Sequence, residues 1–303
     1  MGNYYLVGGS ESLFGARLAH VQQRFVRAIQ SYLPDDQVVW VPLASVRSGL
    51  ATQVGLVRSK YPNVFVVTLS HLYFPIADAS VSCNRVVDTQ GRKLGLAERP
   101  GSPPLCDQIC VVMKEADGRT IAVVDDTFFH GETIAVLREQ GLRIDIAVEY
   151  FSESVTEARL QQEGTSVYTV SSLNGYLDVL PLHDFLPVTP LSGKVVGHRG
   201  VNGIELMTHE SGGSYSLPYL MPYITAKQVS QWASIPEVYA EEFSQFALTM
   251  AIQVMELAGD DRFVYMAQAV CHPMRVSWPY LPEGYPKNIT VENVLRRALH
   301  LSI

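Results

Sequence analysis

Short apolar runs alternate with amphipathic stretches along the first two-thirds of the chain. "YYLVGG" opens the series, and a helix-like stretch follows from Ser12 to Tyr32. "QVVWVPL" predicts the next strand, "ASVRSG" reads as a loop, and a helix is expected from about Leu50 to Lys60. Pro62 and Asn63 break that helix before the strand "VFVVTLS". These runs are apolar throughout rather than alternating, as in strands covered on both faces of a parallel sheet. Further on, "ICVVMKEADGRTIAVVDD" predicts a strand, an Asp-Gly turn and a second strand. "LRIDIAVEYF" predicts another strand, and "SESVTEARLQQEG" a helix stopped by Gly164. "SVYTV" and "SSLNGYLDVL" read as a last short strand and a short helix. The expected class is α/β, with a doubly wound, mainly parallel sheet.

Two stretches break the rhythm. Residues 73–108 are rich in Asp, Asn, Arg, Gly and Pro, with "DTQGRK" as a turn signal. Such an insertion in a compact unit is expected to be a flexible lid or a hairpin arm. From about Pro187 Gly, Pro and Tyr become frequent, and one strong helix stands out, "PEVYAEEFSQFALTMAIQVMELAG". Its Tyr239, Phe243, Phe246, Leu248, Met250 and Val254 recur at helical spacing, a stripe suited to a core or to a homodimer contact. The organisation expected is a strand–helix segment over 1–35, an α/β core over 36–185, and a mostly helical C-terminal appendage or second domain over 186–303.

Composition narrows the functional classes. The 303 residues are 47% hydrophobic and 17% charged, enough apolar material for a large core. A net charge of -7 disfavours a general nucleic-acid binder, although backbone amides at a helix start still accommodate a local phosphate. The N-terminal stretch has no basic flank before a long apolar region, so no signal peptide is expected there. No apolar run is long enough for a membrane helix, and a cytoplasmic protein is expected. Cys83, Cys106, Cys110 and Cys271 do not make a zinc spacing and are expected to be reduced. His198, Arg199, His209 and Glu210 gather in one C-terminal stretch but match no metal motif.

The chemistry concentrates in "IAVVDDTFFHGETIAVLREQG", residues 121–141. An apolar strand ends in Asp125 and Asp126, and Gly131 and Thr133 then open an amphipathic run. Adjacent carboxylates raise each other's pKa, so this position costs stability unless a ligand or helix dipole uses the charge. This order and spacing resembles the phosphoribosyl pyrophosphate (PRPP) signature of the type I phosphoribosyltransferases, and the cadence that follows is similar to orotate phosphoribosyltransferase-like chains. The similarity covers roughly residues 36–182. A response-regulator receiver also ends a strand in acids, but the later strands lack its phosphoacceptor aspartate and lysine.

The resemblance implies roles. Asp125 and Asp126 would accept the ribose hydroxyls, and the amides of Phe129, His130, Gly131, Glu132 and Thr133 would cradle the 5'-phosphate. Ser45, Val46, Arg47 and Ser48 stand where the family keeps its pyrophosphate loop, and Arg92, Lys93 and Arg99 are the cations of the candidate flexible arm. No metal is held directly; magnesium arrives with PRPP. The expected reaction is phosphoribosyl transfer to a nitrogenous acceptor with release of pyrophosphate. The sequence departs from the family's loop at His130 and Glu132, which favours as alternative a non-catalytic regulator or scaffold that senses PRPP or a nucleotide, while Phe129 stands where the 6-oxopurine branch carries an aspartate and disfavours that branch.

Overall fold

The structure, a computed structural model, describes residues 3–7, 18–173, 177–181, 184–187, 193–201, 203–209, 213–258, 278–286 and 288–301. In chain order the elements are β1 (Asn3–Val7), α1 (Leu18–Tyr32), β2 (Gln37–Val41), α2 (Leu43–Lys60), β3 (Phe65–Thr68), β4 (Ala79–Ser80), β5 (Cys83–Val87) and β6 (Lys93–Glu98). Then come α3 (Leu105–Ala116), β7 (Ile121–Thr127), α4 (Glu132–Glu139), β8 (Ile146–Glu153), α5 (Ser154–Gln162), β9 (Ser166–Leu173) and β10 (Leu177–Pro181). The remainder is β11 (Lys194–Gly200), β12 (Gly203–Leu206), β13 (Tyr215–Leu217), α6 (Ala226–Ala233), α7 (Ala240–Ala258), β14 (Trp278–Pro279) and α8 (Val291–Leu301). The chain divides into two compact units, residues 1–4, 41–83 and 102–179 in the first, and 5–40, 84–101 and 180–303 in the second.

The first unit is an α/β layer built on a parallel sheet in the order β4-β3-β7-β8-β9. Its central strands are the apolar runs seen in the sequence: Ile121, Ala122, Val123 and Val124 of β7 are fully buried, as are Ala147 and Val148 of β8. A parallel sheet needs such strands because helices cover both its faces. Gly49 of α2 lies against Tyr150 and Val170, so α2 covers the face those side chains share. Glu149, one residue before Tyr150, feels the charge of Glu157 on α5. Neighbouring strand residues point to opposite faces, so α5 covers the other side.

Several expectations are corrected here. "ASVRSG" is not a loop, because α2 begins at Leu43, with Pro42 at φ -60 pre-set for the helix entry. "ICVVM" is helical: α3 starts after Pro104 and buries Leu105, Ile109, Val112 and Ala116 at helical spacing. "SSLNGYLDVL" is not helical in its described part, since β9 runs to Leu173 and β10 starts at Leu177. Residues 73–108 contribute β4, β5, β6 and the start of α3, and β5 and β6 are neighbours joined by the turn at Asp88–Arg92, one of the two forms expected of this insertion, a hairpin arm.

The second unit carries a mixed sheet, β14-β13-β11-β5-β6 with β12 on β11, in which β5 pairs parallel and β13 antiparallel with β11. The C-terminal third therefore supplies strands as well as helices. Helix α7 is the strong helix expected from sequence, preceded by a 3-10 turn at Glu237–Tyr239. Its Phe243 is fully buried edge-on to Phe185 at 4.8 Å, and Phe185 stacks on Phe25 at 6.0 Å. Leu248 and Met250 are buried with it, which makes the apolar stripe core. A third, three-stranded sheet has the order β10-β1-β2. Among the described residues no helix is long and apolar enough to cross a membrane.

The packing of α2 gives a paired test. A Cβ at Gly49 would lie 2.6 Å from the Tyr150 ring, whereas one at Gly55 meets nothing within 4 Å. Gly49→Ala is expected to destabilise by about 1–3 kcal/mol through overpacking. Gly55→Ala is expected to stabilise by roughly 0.5–1 kcal/mol, because alanine loses less backbone entropy in a helix. Urea denaturation of the two variants reads both signs.

Candidate functional site

Strand β7 brings Asp125 and Asp126 to the carboxyl edge of the parallel sheet, both half-buried. Asp125 pairs in register with Glu149, which pairs with Thr169, so these three residues share a face at one level. Asp126 is the next residue along, and the two carboxylates flank the strand end from opposite sides. Asp125 Oδ1 accepts the Asp126 amide at 3.0 Å.

The turn that follows is held from several directions. The Phe128 amide donates to Glu149 Oε2 at 2.8 Å, the Phe129 amide to Thr127 Oγ1 at 3.0 Å, and the Gly131 amide to the Phe128 carbonyl at 2.6 Å. Arg159 of α5 donates from Nη2 to the His130 carbonyl. Phe129 sits at φ +38, a left-handed conformation that is strained for an aromatic residue. Gly131, at φ +66, is the N-cap of α4, and a Cβ there would meet the Arg159 guanidinium. The positive φ favours glycine at this position, and its missing side chain lets the Arg159 guanidinium lie close.

The turn sets out what can face a ligand. The amides of Phe129 and Gly131, expected to cradle an anion, are engaged within the turn, so the available set shifts toward the helix start. Among the described residues no backbone carbonyl accepts from Thr133 or Ile134. These are first-turn amides of α4, which point along the positive end of its dipole. Glu132 and His130 are exposed, and the His130 ring lies 4.1 Å from that of Phe129 with Nδ1 3.8 Å from Glu153. Phe128 is buried in the core.

Beneath the turn lies Glu149, fully buried within the apolar first part of β8, "IAVEYF". Oε2 holds the Phe128 amide, while Oε1 is buried and has no hydrogen-bond partner among the described residues. Burial, with the nearby charges of Glu157 and Asp126, pushes its carboxyl from 4.5 up to about 7, against the pull of the Phe128 amide and Ser152. The sequence reading passed over this residue, although a lone acid inside "IAVEYF" was a legible signal. Arg159 carried no such signal.

The other predicted residues are placed as follows. Ser45, Val46, Arg47 and Ser48 lie in the first turns of α2. The amides of Ser45 and Val46 both donate to the Pro42 carbonyl, Val46 is fully buried, and Arg47 Nε donates to the Leu72 carbonyl at 2.8 Å. Arg92, Lys93 and Arg99 belong to the second unit. Arg92 pairs with Asp88 at 2.6 Å, Lys93 begins β6, and Arg99 follows its end. His198 lies 3.4 Å from Glu205, His209 is buried, and Glu210 and Cys271 lie outside the described residues. Cys83 is buried, and Cys106 and Cys110 are exposed free thiols. Among the described residues no group of three or more His, Cys, Asp or Glu is placed to hold a metal. No family model matches this chain, and no curated protein matches it.

Glu149 makes stability depend on pH. Its folded-state value, about 7, lies above the ordinary 4.5, so the folded chain holds an extra proton between the two. That contribution is fully present below the lower value and is lost as pH rises through the upper one, up to roughly 3 kcal/mol in all. Glu149→Gln keeps an acceptor for the Phe128 amide and removes the proton. The expected outcome is a urea midpoint that falls from pH 5 to 7 in the parent chain and falls distinctly less in the variant.

Proposed function

We propose that the first unit is a type I phosphoribosyltransferase-like fold that binds PRPP at the carboxyl edge of its sheet and transfers the phosphoribosyl group to a nitrogenous acceptor, releasing pyrophosphate. One observation carries the reading: two carboxylates end the central strand, and a tightly fixed turn leads from them to a helix start with uncommitted amides. The sheet order adds support. The chain leaves β3 toward β4 on one side and comes back to β7 on the other. Such reversals open a crevice at the carboxyl ends of the strands, where α/β proteins hold ligands.

Each part has a chemical use. Vicinal ribose hydroxyls donate to Asp125 and Asp126, charge-assisted bonds that fix the sugar. The 5'-phosphate takes the amides of Thr133 and Ile134, with the Thr133 hydroxyl as a further donor and the dipole of α4 behind them. Arg159, half-exposed beside the turn and 3.8 Å from Glu163, adds positive charge next to Gly131 and the His130 carbonyl. The transition state has oxocarbenium character, so the protein's task is to hold ribose and leaving group in line and to stabilise separating charge. Asp125 and Asp126 are hard oxygen donors compatible with magnesium, which would neutralise the pyrophosphate leaving group.

The test is calorimetric titration of the full chain with PRPP and magnesium, followed by pyrophosphate release across a panel of nitrogenous bases. Asp125→Asn and Asp126→Asn are each expected to weaken PRPP binding by about 10- to 100-fold, the effect of losing a charged hydrogen-bond acceptor. Arg159→Ala is expected to weaken it at least several-fold. PRPP binding without pyrophosphate release from any base would move the assignment to a PRPP-sensing regulator. Absence of magnesium-dependent PRPP binding would overturn both.

A further inference from the structure

The two edges of the parallel sheet differ. One ends in β4, which is 2 residues long, and the other in β9, which is 8 residues long. A very short edge strand stops a sheet from pairing further, as do charges, prolines and bulges placed on an edge. β9 uses none of these devices. Its sequence, "SVYTVSSL", has no charged residue and no proline, and its register on β8 runs unbroken from Ile146↔Ser166 to Glu153↔Leu173. All of its residues are exposed or part-exposed.

The main chain of β9 has an open side. The Ser166 amide donates to the Asp145 carbonyl, just before β8. Main-chain groups alternate in direction along a strand, so Ser166, Tyr168, Val170 and Ser172 bond to β8. Those of Val167, Thr169 and Ser171 point away from the sheet. Among the described residues no further strand pairs with them, and only the Gln53 side chain reaches that row, donating to the Thr169 carbonyl at 3.0 Å. That oxygen keeps a second lone pair.

On one face the edge is flanked by α2. Gly49, Gln53, Leu56 and Lys60 recur at helical spacing along β9: Gly49 lies against Val170, and Lys60 Nζ is 5.9 Å from the Tyr168 ring centroid. Leu56 and Val170 are both exposed apolar side chains on this face.

Charge points to the occupant. In an antiparallel pairing about a two-fold axis each strand meets its own copy, so a charge near the centre faces its like. An uncharged β9 suits that contact and gives a charged foreign strand nothing to match. The whole chain carries a net charge of -7, so copies repel one another and contact costs least at a neutral edge. Leu248 and Met250 of α7 are core, so the stripe they belong to does not offer such a surface.

We propose that the outer edge of β9 is a homodimer interface, at which two copies of this chain pair their β9 strands antiparallel and join two parallel sheets into one. Centred on Thr169, the pairing sets Val167 of one copy opposite Ser171 of the other. It gathers Leu56 and Val170 of both copies on one face, and sends the two Lys60 side chains toward opposite ends. The interface uses none of the residues assigned to PRPP, so the two readings stand or fall separately.

Sedimentation equilibrium of the full chain over a range of concentrations is expected to show a dimer that dissociates on dilution. Hydrogen exchange read by mass spectrometry is expected to slow over residues 167–171 as the dimer forms. Ser171→Pro removes an outward amide that the sheet itself does not use, and Val170→Lys sets like charges close together across the axis. Each is expected to weaken dimerisation about ten-fold or more. Val170→Thr, neutral and still β-branched, is expected to leave it nearly unchanged. Circular dichroism and the urea midpoint check the fold of each variant, and the two Val170 variants read the interface by themselves if Ser171→Pro does not fold. A parent chain that is monomeric at every concentration would overturn the proposal. So would a dimer that Val170→Lys leaves intact, or one whose exchange protection lies outside β9.

Discussion

The bond from the Phe128 amide to the buried carboxylate of Glu149 is the contact on which the architecture of the candidate site depends. A strand that ends at a sheet edge and must enter a helix within a few residues has many routes open to it. Here the route is narrowed from below by Glu149, from within by the Thr127 hydroxyl, and from the side by Arg159. The left-handed Phe129 is the cost of that confinement, and it persists because three separate elements of the unit impose it. A carboxyl group buried in a hydrophobic strand is itself unfavourable, and holding a proton near neutral pH reduces that penalty. The site therefore joins two stored costs, one of backbone strain and one of burial, at the end of a central strand. Such costs collect where a structure is organised for something other than stability.

What was legible in the sequence follows from how local each signal is. β3, β7 and β8 were readable because strands buried on both faces must be apolar at every position, and so was the acid pair that breaks the run of β7. Gly131 was readable from the order of acid pair, glycine and threonine, and its φ of +66 is a conformation that favours glycine. The errors came where two local signals compete. Ser45 and Gly49 resemble turn residues, yet Pro42 had already set the helix entry, and Gly49 is there to let Tyr150 approach α2. In α3 the β-branched run "ICVV" suggested a strand, and the helical period became visible only from Leu105, before the run begins. The start of β9, "SVYTV", was read as a strand, whereas its continuation through Ser171, Ser172 and Leu173 carried too little apolar character to show that the strand went on.

The partners of the turn were the hardest to see. Glu149 is 21 residues from Phe128 and Arg159 is 29 residues from His130, and both are brought in by strand register and crossover geometry rather than by any motif. Register is the physical reason: once β7 and β8 pair with Asp125 opposite Glu149, the acid in "IAVEYF" has to lie under the loop. A sequence reading that finds the strands without fixing their register cannot place that residue.

Charge balance at the helix start gives the departures from the expected loop a physical meaning. Glu132 sits at the first position of α4, where its charge suits the dipole but competes with any anion for the same amides. His130 is exposed and faces Glu153 rather than the helix amides. The positive charge at the turn comes instead from Arg159, which anchors the His130 carbonyl while bearing on the space above Gly131. A cation supplied by α5 and a glycine supplied by the turn thus meet at one point. In the proposed reading an anion at the helix start would rest on that pair, and the departures from the expected loop, His130 and Glu132, flank the glycine on either side.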